Sequence, residues 1–131
     1  MSHSLEEILS LLTKDKKLDR DRGLIDLKSK VNSASPEDIQ SLETALTRFV
    51  QDSTAGWETH QGALLGSKTV VASDRSSEAF AAEMRVHALH QLNNNEARVR
   101  LAAGKFLFRL YKLLIEHAAM HTVLTRTVVH D

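Results

Sequence analysis

Apolar residues recur along this chain at three- and four-residue intervals, which is the spacing of a helix with one buried face. No run alternates between apolar and polar residues as a half-buried strand does. The pattern therefore predicts an all-α chain with six helices. Their approximate ranges are 5–14, 18–31, 36–52, 57–71, 77–92 and 96 to at least 118. The tail 119–131 is rich in β-branched residues, and its pattern leaves another helix or an extended segment open.

Serine residues mark the starts of two predicted helices. Ser35 is a good N-cap for the third helix, and Pro36 takes the first helical position, where its missing N–H costs nothing. Ser77 has the same capping role before the fifth helix. That fifth helix is expected to carry an apolar face made by Ala82, Val86 and Leu89.

The sixth helix, within 96-EARVRLAAGKFLFRLYKLL-114, has little polar surface. Projection at about 100° per residue places its cations in one narrow stripe between two apolar flanks. The second flank repeats every seven residues, at Leu101, Phe108 and Ile115. Two apolar flanks predict neighbours on two sides. We expect the tail after Ala118 to cover the second flank; a partner protein, a second copy or a longer solenoid are the alternatives.

Small residues recur at a repeat-like interval near the starts of the second, fourth and sixth helices. Gly23, Gly62 and Ala103 align with spacings of 39 and 41 residues, and each follows a helix that forms the other half of a hairpin. A small side chain lets a neighbouring helix approach closely. The chain is therefore expected to be a single helical-repeat domain, 1–131, with repeats at about 4–32, 36–72 and 76–118 and the tail 119–131.

The stretch 93-NNNEARVRLAAGKFLFRL-110 resembles the second helix of a HEAT repeat, a hairpin of roughly forty residues. Val99-Arg100 and the small Ala103 match that family's pattern, whereas 19-DRDRG-23 lacks the valine. The resemblance implies that Arg100 hydrogen-bonds an inter-helix turn, with Asp74 or Asn94 as the partner. An armadillo repeat or a VHS/ENTH-type superhelix is the alternative.

The resemblance to HEAT repeats implies a right-handed α–α superhelix of about three hairpins that works as a protein–protein interaction scaffold or adaptor. Its second helices would offer a binding face for another protein, such as one with an acidic segment. The candidate partner-binding residues are Arg20, Lys68, Arg98, Lys105, Arg109 and Lys112. A VHS/ENTH-like adaptor that binds ubiquitin, a peptide or a phosphoinositide is one alternative function, and a nucleic-acid-binding repeat is another.

The overall charge argues against a chain-wide attraction to nucleic acid or membrane. Lys and Arg together number 17, as do Asp and Glu, so the formal net charge is zero. The chain has no cysteine, which excludes disulfides and thiolate ligands. Its N-terminus lacks a signal-peptide pattern, and its apolar runs are too short to span a bilayer. We expect a cytoplasmic or nuclear protein.

Two pairs of histidines have helical spacing, so each pair presents two nitrogens on one helix face: His87 with His90, and His117 with His121. A zinc site needs a third ligand, for which Glu83 or Glu116 is the candidate. Seven histidines give such pairs by chance. No nucleophile-elbow, P-loop or dinucleotide-binding motif occurs. We therefore predict no enzyme, no cofactor and no metal site.

Overall fold

Six helices make up the regular structure of residues 3–130, the part of the chain that the computed structural model describes, with side chains described for 3–124. They are α1 (Leu5–Leu12), α2 (Lys17–Ser33), α3 (Pro36–Gln51), α4 (Trp57–Ala72), α5 (Glu78–Gln91) and α6 (Ala97–His130). These residues contain no strand, so the predicted all-α fold with six helices is confirmed.

Side-chain caps mark the starts of α1, α3 and α5. Ser35 accepts a hydrogen bond from the backbone N–H of Asp38, and Ser77 accepts one from Phe80, so both predicted caps are confirmed. Ser4 forms a capping box with Glu7 at the start of α1. Each cap satisfies a backbone donor that the first turn of a helix leaves without a partner.

The six helices pack as three consecutive hairpins. α1 packs on α2, α3 on α4 and α5 on α6. The first helices of the hairpins, α1, α3 and α5, contact one another in order, and so do the second helices, α2, α4 and α6. α4 contacts every other helix, which makes it the centre of the core.

Small residues on α4 allow this central position. Gly62, Ala63, Gly66 and Ser67 are all buried, and the Ser67 hydroxyl donates to the Ala63 carbonyl within the helix at 2.7 Å. A Cβ atom on Gly62 would collide with the backbone carbonyl of Leu12 at the end of α1. The end of α1 thus lies directly on the α4 backbone, which is the close approach that the small-residue spacing predicts.

The apolar face predicted for α5 lies away from the core. Phe80, Met84 and Ala88 are the buried residues, whereas Val86 and Leu89 are exposed. The helix has apolar residues on two sides, so its periodicity does not identify which side faces the core. The face made by Ala82, Val86 and Leu89 therefore remains open at the end of the helix array.

The expectation that the tail covers the second flank of the sixth helix is wrong. Residues 119–130 continue α6 as one helix of 34 residues, so they do not fold back over Leu101, Phe108 and Ile115. No proline or glycine follows Gly104 to end the helix, and a low helix propensity of β-branched residues is too weak to do so alone. Asp131, the last residue of the predicted tail, lies outside the described residues.

The contact at Gly62 predicts a sharp difference between two glycine substitutions. Gly62→Ala must push α1 away from α4, and we expect it to lower the free energy of unfolding by at least about 2 kcal/mol. Gly104→Ala is the matched control, because a Cβ on Gly104 has no heavy atom within 4 Å. This control should raise the free energy of unfolding by roughly 0.5–1 kcal/mol through helix propensity. Urea unfolding followed by circular dichroism measures both, and equal effects would contradict the packing described.

Candidate functional site

Charge is divided unevenly between the two layers of helices. The first helices, α1, α3 and α5, hold seven acidic and two basic residues. The second helices, α2, α4 and α6, hold twelve basic and five acidic residues. The zero net charge of the chain therefore conceals a basic layer of second helices, which attracts anions locally.

Two arginines hold the turns of their hairpins in the same way. Arg20 donates from Nη1 to the carbonyls of Lys14 and Asp15, at 2.9 and 2.8 Å. Arg100 donates from Nη1 to the carbonyls of Asn94 and Asn95, at 2.7 and 3.1 Å. The expected bond between Arg100 and the turn at Asn94 is therefore confirmed. In both hairpins the guanidinium satisfies carbonyls five and six residues before it in the chain.

Arg20 is an interior residue, although the sequence suggested it as a partner-binding residue. Its side chain is 4% exposed, and its Nε also donates to Oε1 of Gln61 on α4 at 3.0 Å. Its donors are directed at the protein's own turn and at α4. Arg20 lines the groove described below, but most of its side chain is buried and its donors are used within the chain.

Trp57 joins the three second helices at their N-terminal ends. The Cζ atom of Arg98, on α6, lies 3.6 Å from the centroid of the Trp57 ring, and that of Arg20, on α2, lies 4.9 Å from it. Arg98 also donates to Glu96 at 2.8 Å, and this side-chain hydrogen bond lowers the pKa of Glu96 below its ordinary value. Both arginines are thus held in place beside the Trp57 ring.

A groove with an apolar floor runs along α2 and α4. It consists of two adjoining depressions of about 390 and 420 Å³ that share Leu24 and Leu65. Lys28 and Lys68 line the first depression. The second is lined by residues of α2, α4 and α6 and the turn before α2, among them Lys17, Asp21, Trp57, Arg98, Leu101 and Lys105.

The groove brings together some of the predicted binding residues. Lys68, Lys105 and the largely buried Arg20 line it, and Arg98 lies at its Trp57 end. Arg109 is half-buried and Lys112 is exposed on α6, and neither lines the groove. Among the described residues, no ion-pair partner is found for Lys68, Lys105, Arg109 or Lys112.

Sequence reasoning missed Lys28 and the floor made by Leu24 and Leu65. A signal was present, because each second helix carries a leucine four residues before a lysine. The three pairs are Leu24 with Lys28, Leu64 with Lys68, and Leu101 with Lys105. All three lysines line the groove, as does Lys17, which lies outside this pattern and pairs with Asp21.

The arrangement places cations beside apolar side chains. Within residues 3–124, no group of three or more histidine, aspartate or glutamate side chains lies together in a geometry that would hold a metal ion. None of the described helices is long and apolar enough to cross a membrane. A segment with acidic and apolar residues would find both of its complements in the groove.

Comparisons of the chain with protein-family models, with curated proteins and with solved structures find no match. The resemblance to HEAT repeats therefore depends on the sequence pattern and on the arginine contacts that recur in two hairpins. A function for the groove is therefore inferred from the geometry of the groove alone.

The two turn-binding arginines predict unequal effects of the same substitution. Arg20→Met leaves two partly buried carbonyls and Gln61 without a donor, so we expect a loss of roughly 2–4 kcal/mol in the free energy of unfolding. Arg100→Met should cost clearly less, because Arg100 is exposed and water can replace its bonds. Thermal unfolding by calorimetry compares the two variants. An equal loss in both would contradict the interior position of Arg20.

Proposed function

We propose that this chain is a HEAT-like, non-catalytic protein interaction module that binds an acidic segment of a partner protein along its second-helix layer. The groove on α2 and α4 carries this proposal. Leu24 and Leu65 form its floor, and Lys28, Lys68 and Lys105 line it without an ion-pair partner among the described residues. Lysines that lack an internal partner remain available to a carboxylate from another chain.

The size of the groove sets the length of the segment. α4 has 16 residues, so the groove runs for about 24 Å along it. An extended chain covers that length with about seven residues. Side chains alternate along an extended segment, so apolar residues would face Leu24 and Leu65 while acidic residues reach the lysines.

A superhelical arrangement of the hairpins is part of this proposal. Three consecutive hairpins, with first helices beside first helices and second beside second, support it. The arginine-to-turn bonds at Arg20 and Arg100 recur at corresponding places in two hairpins, which supports a repeat origin. Proteins built in this way recognise partners through surfaces formed by successive repeats.

The arginines packed on the Trp57 ring favour a protein ligand over a nucleic acid. Binding of single strands without sequence preference uses aromatic rings on which bases stack. The Trp57 ring is covered by Arg98 at 3.6 Å and approached by Arg20 at 4.9 Å. The groove therefore offers cations and aliphatic side chains to a ligand, and its tryptophan is already occupied by two guanidinium groups.

Charge reversal in the groove tests the proposal. A labelled peptide of about seven residues that alternates glutamate with leucine is titrated with the protein, and fluorescence anisotropy gives Kd. We expect Lys28→Glu/Lys68→Glu to weaken binding by about tenfold or more, because two attractive pairs become repulsive. Arg22→Glu/Arg48→Glu is the control, since it changes the net charge equally at exposed positions outside the groove.

Three outcomes would count against the groove. Equal weakening by both double variants would mean that only net charge matters. Tighter binding of a single-stranded oligonucleotide than of the peptide, with a steep salt dependence, would favour a nucleic-acid-binding repeat. Flotation with phosphoinositide vesicles, lost in Lys28→Glu/Lys68→Glu, would favour the VHS/ENTH-like adaptor.

A further inference from the structure

One face of α6 is apolar and open. The side chains of Leu101, Phe108 and Ile115 follow one another at seven-residue spacing and are 60%, 71% and 69% exposed. We call these three residues the α6 row. Exposed apolar side chains in a continuous row are characteristic of an interaction surface. Val86 and Leu89 of the neighbouring α5 are also exposed.

The core contains a covered row of the same kind. On α4, Trp57, Leu64 and Val71 have the same seven-residue spacing. Trp57 is stacked under Arg98 of α6, Leu64 is fully buried, and Val71 lines a cavity with Leu110 and Leu113 of α6. A helix thus covers the row on α4, whereas no described residue covers the row on α6.

The charges beside the α6 row specify what kind of helix would cover it. Arg98, Lys105 and Lys112 also follow one another at seven-residue spacing, so a basic row runs parallel to the apolar one. Lys105 and Lys112 are exposed and have no ion-pair partner among the described residues. Gly104 has no heavy atom within 4 Å of the place where a Cβ would lie, so another helix can come close there.

We propose that the α6 row binds an amphipathic helix of a partner protein, with apolar residues in a heptad pattern and acidic residues on its flank. The apolar residues would cover Leu101, Phe108 and Ile115, and the acidic flank would meet Lys105 and Lys112. Heptad side chains and flanking charges of this kind are how helices recognise each other side by side. This surface shares Leu101 and Lys105 with the groove but not the floor made by Leu24 and Leu65, and Phe108, Lys112 and Ile115 lie outside the groove, so the proposal stands whether or not the groove binds a peptide.

A second copy of the chain fits this face poorly. If its α6 ran antiparallel, Lys105 and Lys112 would face the same two lysines of the other copy. If it ran parallel, Lys105 would face the position of Arg100, since Leu107 is buried in the chain's own core. The acidic residue that α6 contains is Glu116 alone, so a second copy brings one acid to two lysines, whereas an acidic helix offers a partner to both.

The experiment uses two synthetic three-heptad peptides with leucine and isoleucine at the apolar positions. One carries glutamate at both flanking positions, which prevents the peptide from pairing with itself, and the other carries lysine there. We expect the full chain to bind the glutamate peptide at least about tenfold more tightly than the lysine peptide, measured by anisotropy. The helicity of the bound peptide should rise in circular dichroism.

Variants assign the binding to the α6 row. Phe108→Ser should weaken the glutamate peptide by about tenfold or more, whereas Ile25→Ser, at an equally exposed apolar residue on α2 (71%), should not change it. Lys112→Glu should weaken the glutamate peptide and strengthen the lysine peptide. Lys28→Glu/Lys68→Glu should leave both Kd values unchanged, which separates this face from the groove.

The proposal is overturned if the glutamate peptide does not bind, if both peptides bind equally, or if Ile25→Ser acts like Phe108→Ser. Sedimentation of the free protein decides between a partner helix and a second copy. A monomer agrees with the proposal. A dimer that Phe108→Ser dissociates would assign the α6 row to self-association and would overturn it.

Discussion

The close approach of α1 to α4 at Gly62 is the constraint on which the rest of the structure depends. The Leu12 carbonyl lies where any larger residue at position 62 would place its Cβ, so α1 packs against the helix backbone itself. Because one face of α4 consists of Gly62, Ala63, Gly66 and Ser67, neighbouring helices can approach it on several sides. α2 and α6 are consequently held on either side of α4, and this spacing determines where their cations lie relative to Leu65 on the groove floor.

The central helix α4 carries little charge, so the helices beside it determine the charge of the second layer. α4 contributes only Glu58 and Lys68, so the basic character of the second layer comes mainly from α2 and α6. The acidic residues of the first helices belong to the other layer, and among the described residues none of them forms an ion pair with these cations. The ion pairs found among the described residues are mostly short-range in sequence, such as Lys17 with Asp21 and Arg98 with Glu96. A neutral chain can therefore present a basic face.

Local signals in the sequence predicted helices and their starts well, since caps such as Ser35 and Ser77 act within one turn. The alignment of Gly23 with Gly62 also predicted close packing, because a helix backbone can be approached only where side chains are small. The position of Arg20 could not be predicted in this way. An arginine in a charged first turn is typical of a solvated surface, and only the turn carbonyls of Lys14 and Asp15 and the neighbouring Gln61 make it an interior residue. Which face of α5 is exposed, and that α6 continues to His130, likewise depend on tertiary contacts, which a local sequence pattern does not contain.

The two proposed surfaces meet at the first turns of α6. Leu101 and Lys105 line the groove with α2 and α4, and they also begin the apolar and basic rows of α6. Ligands on both surfaces would therefore compete for the single charge of Lys105, while Lys28 and Lys68 on one side and Phe108 and Lys112 on the other remain separate. A change at Lys105 alone affects both surfaces at once, so it cannot assign a ligand to either. The residues that each surface has to itself are the ones that distinguish an extended acidic segment on the groove from an acidic helix on α6.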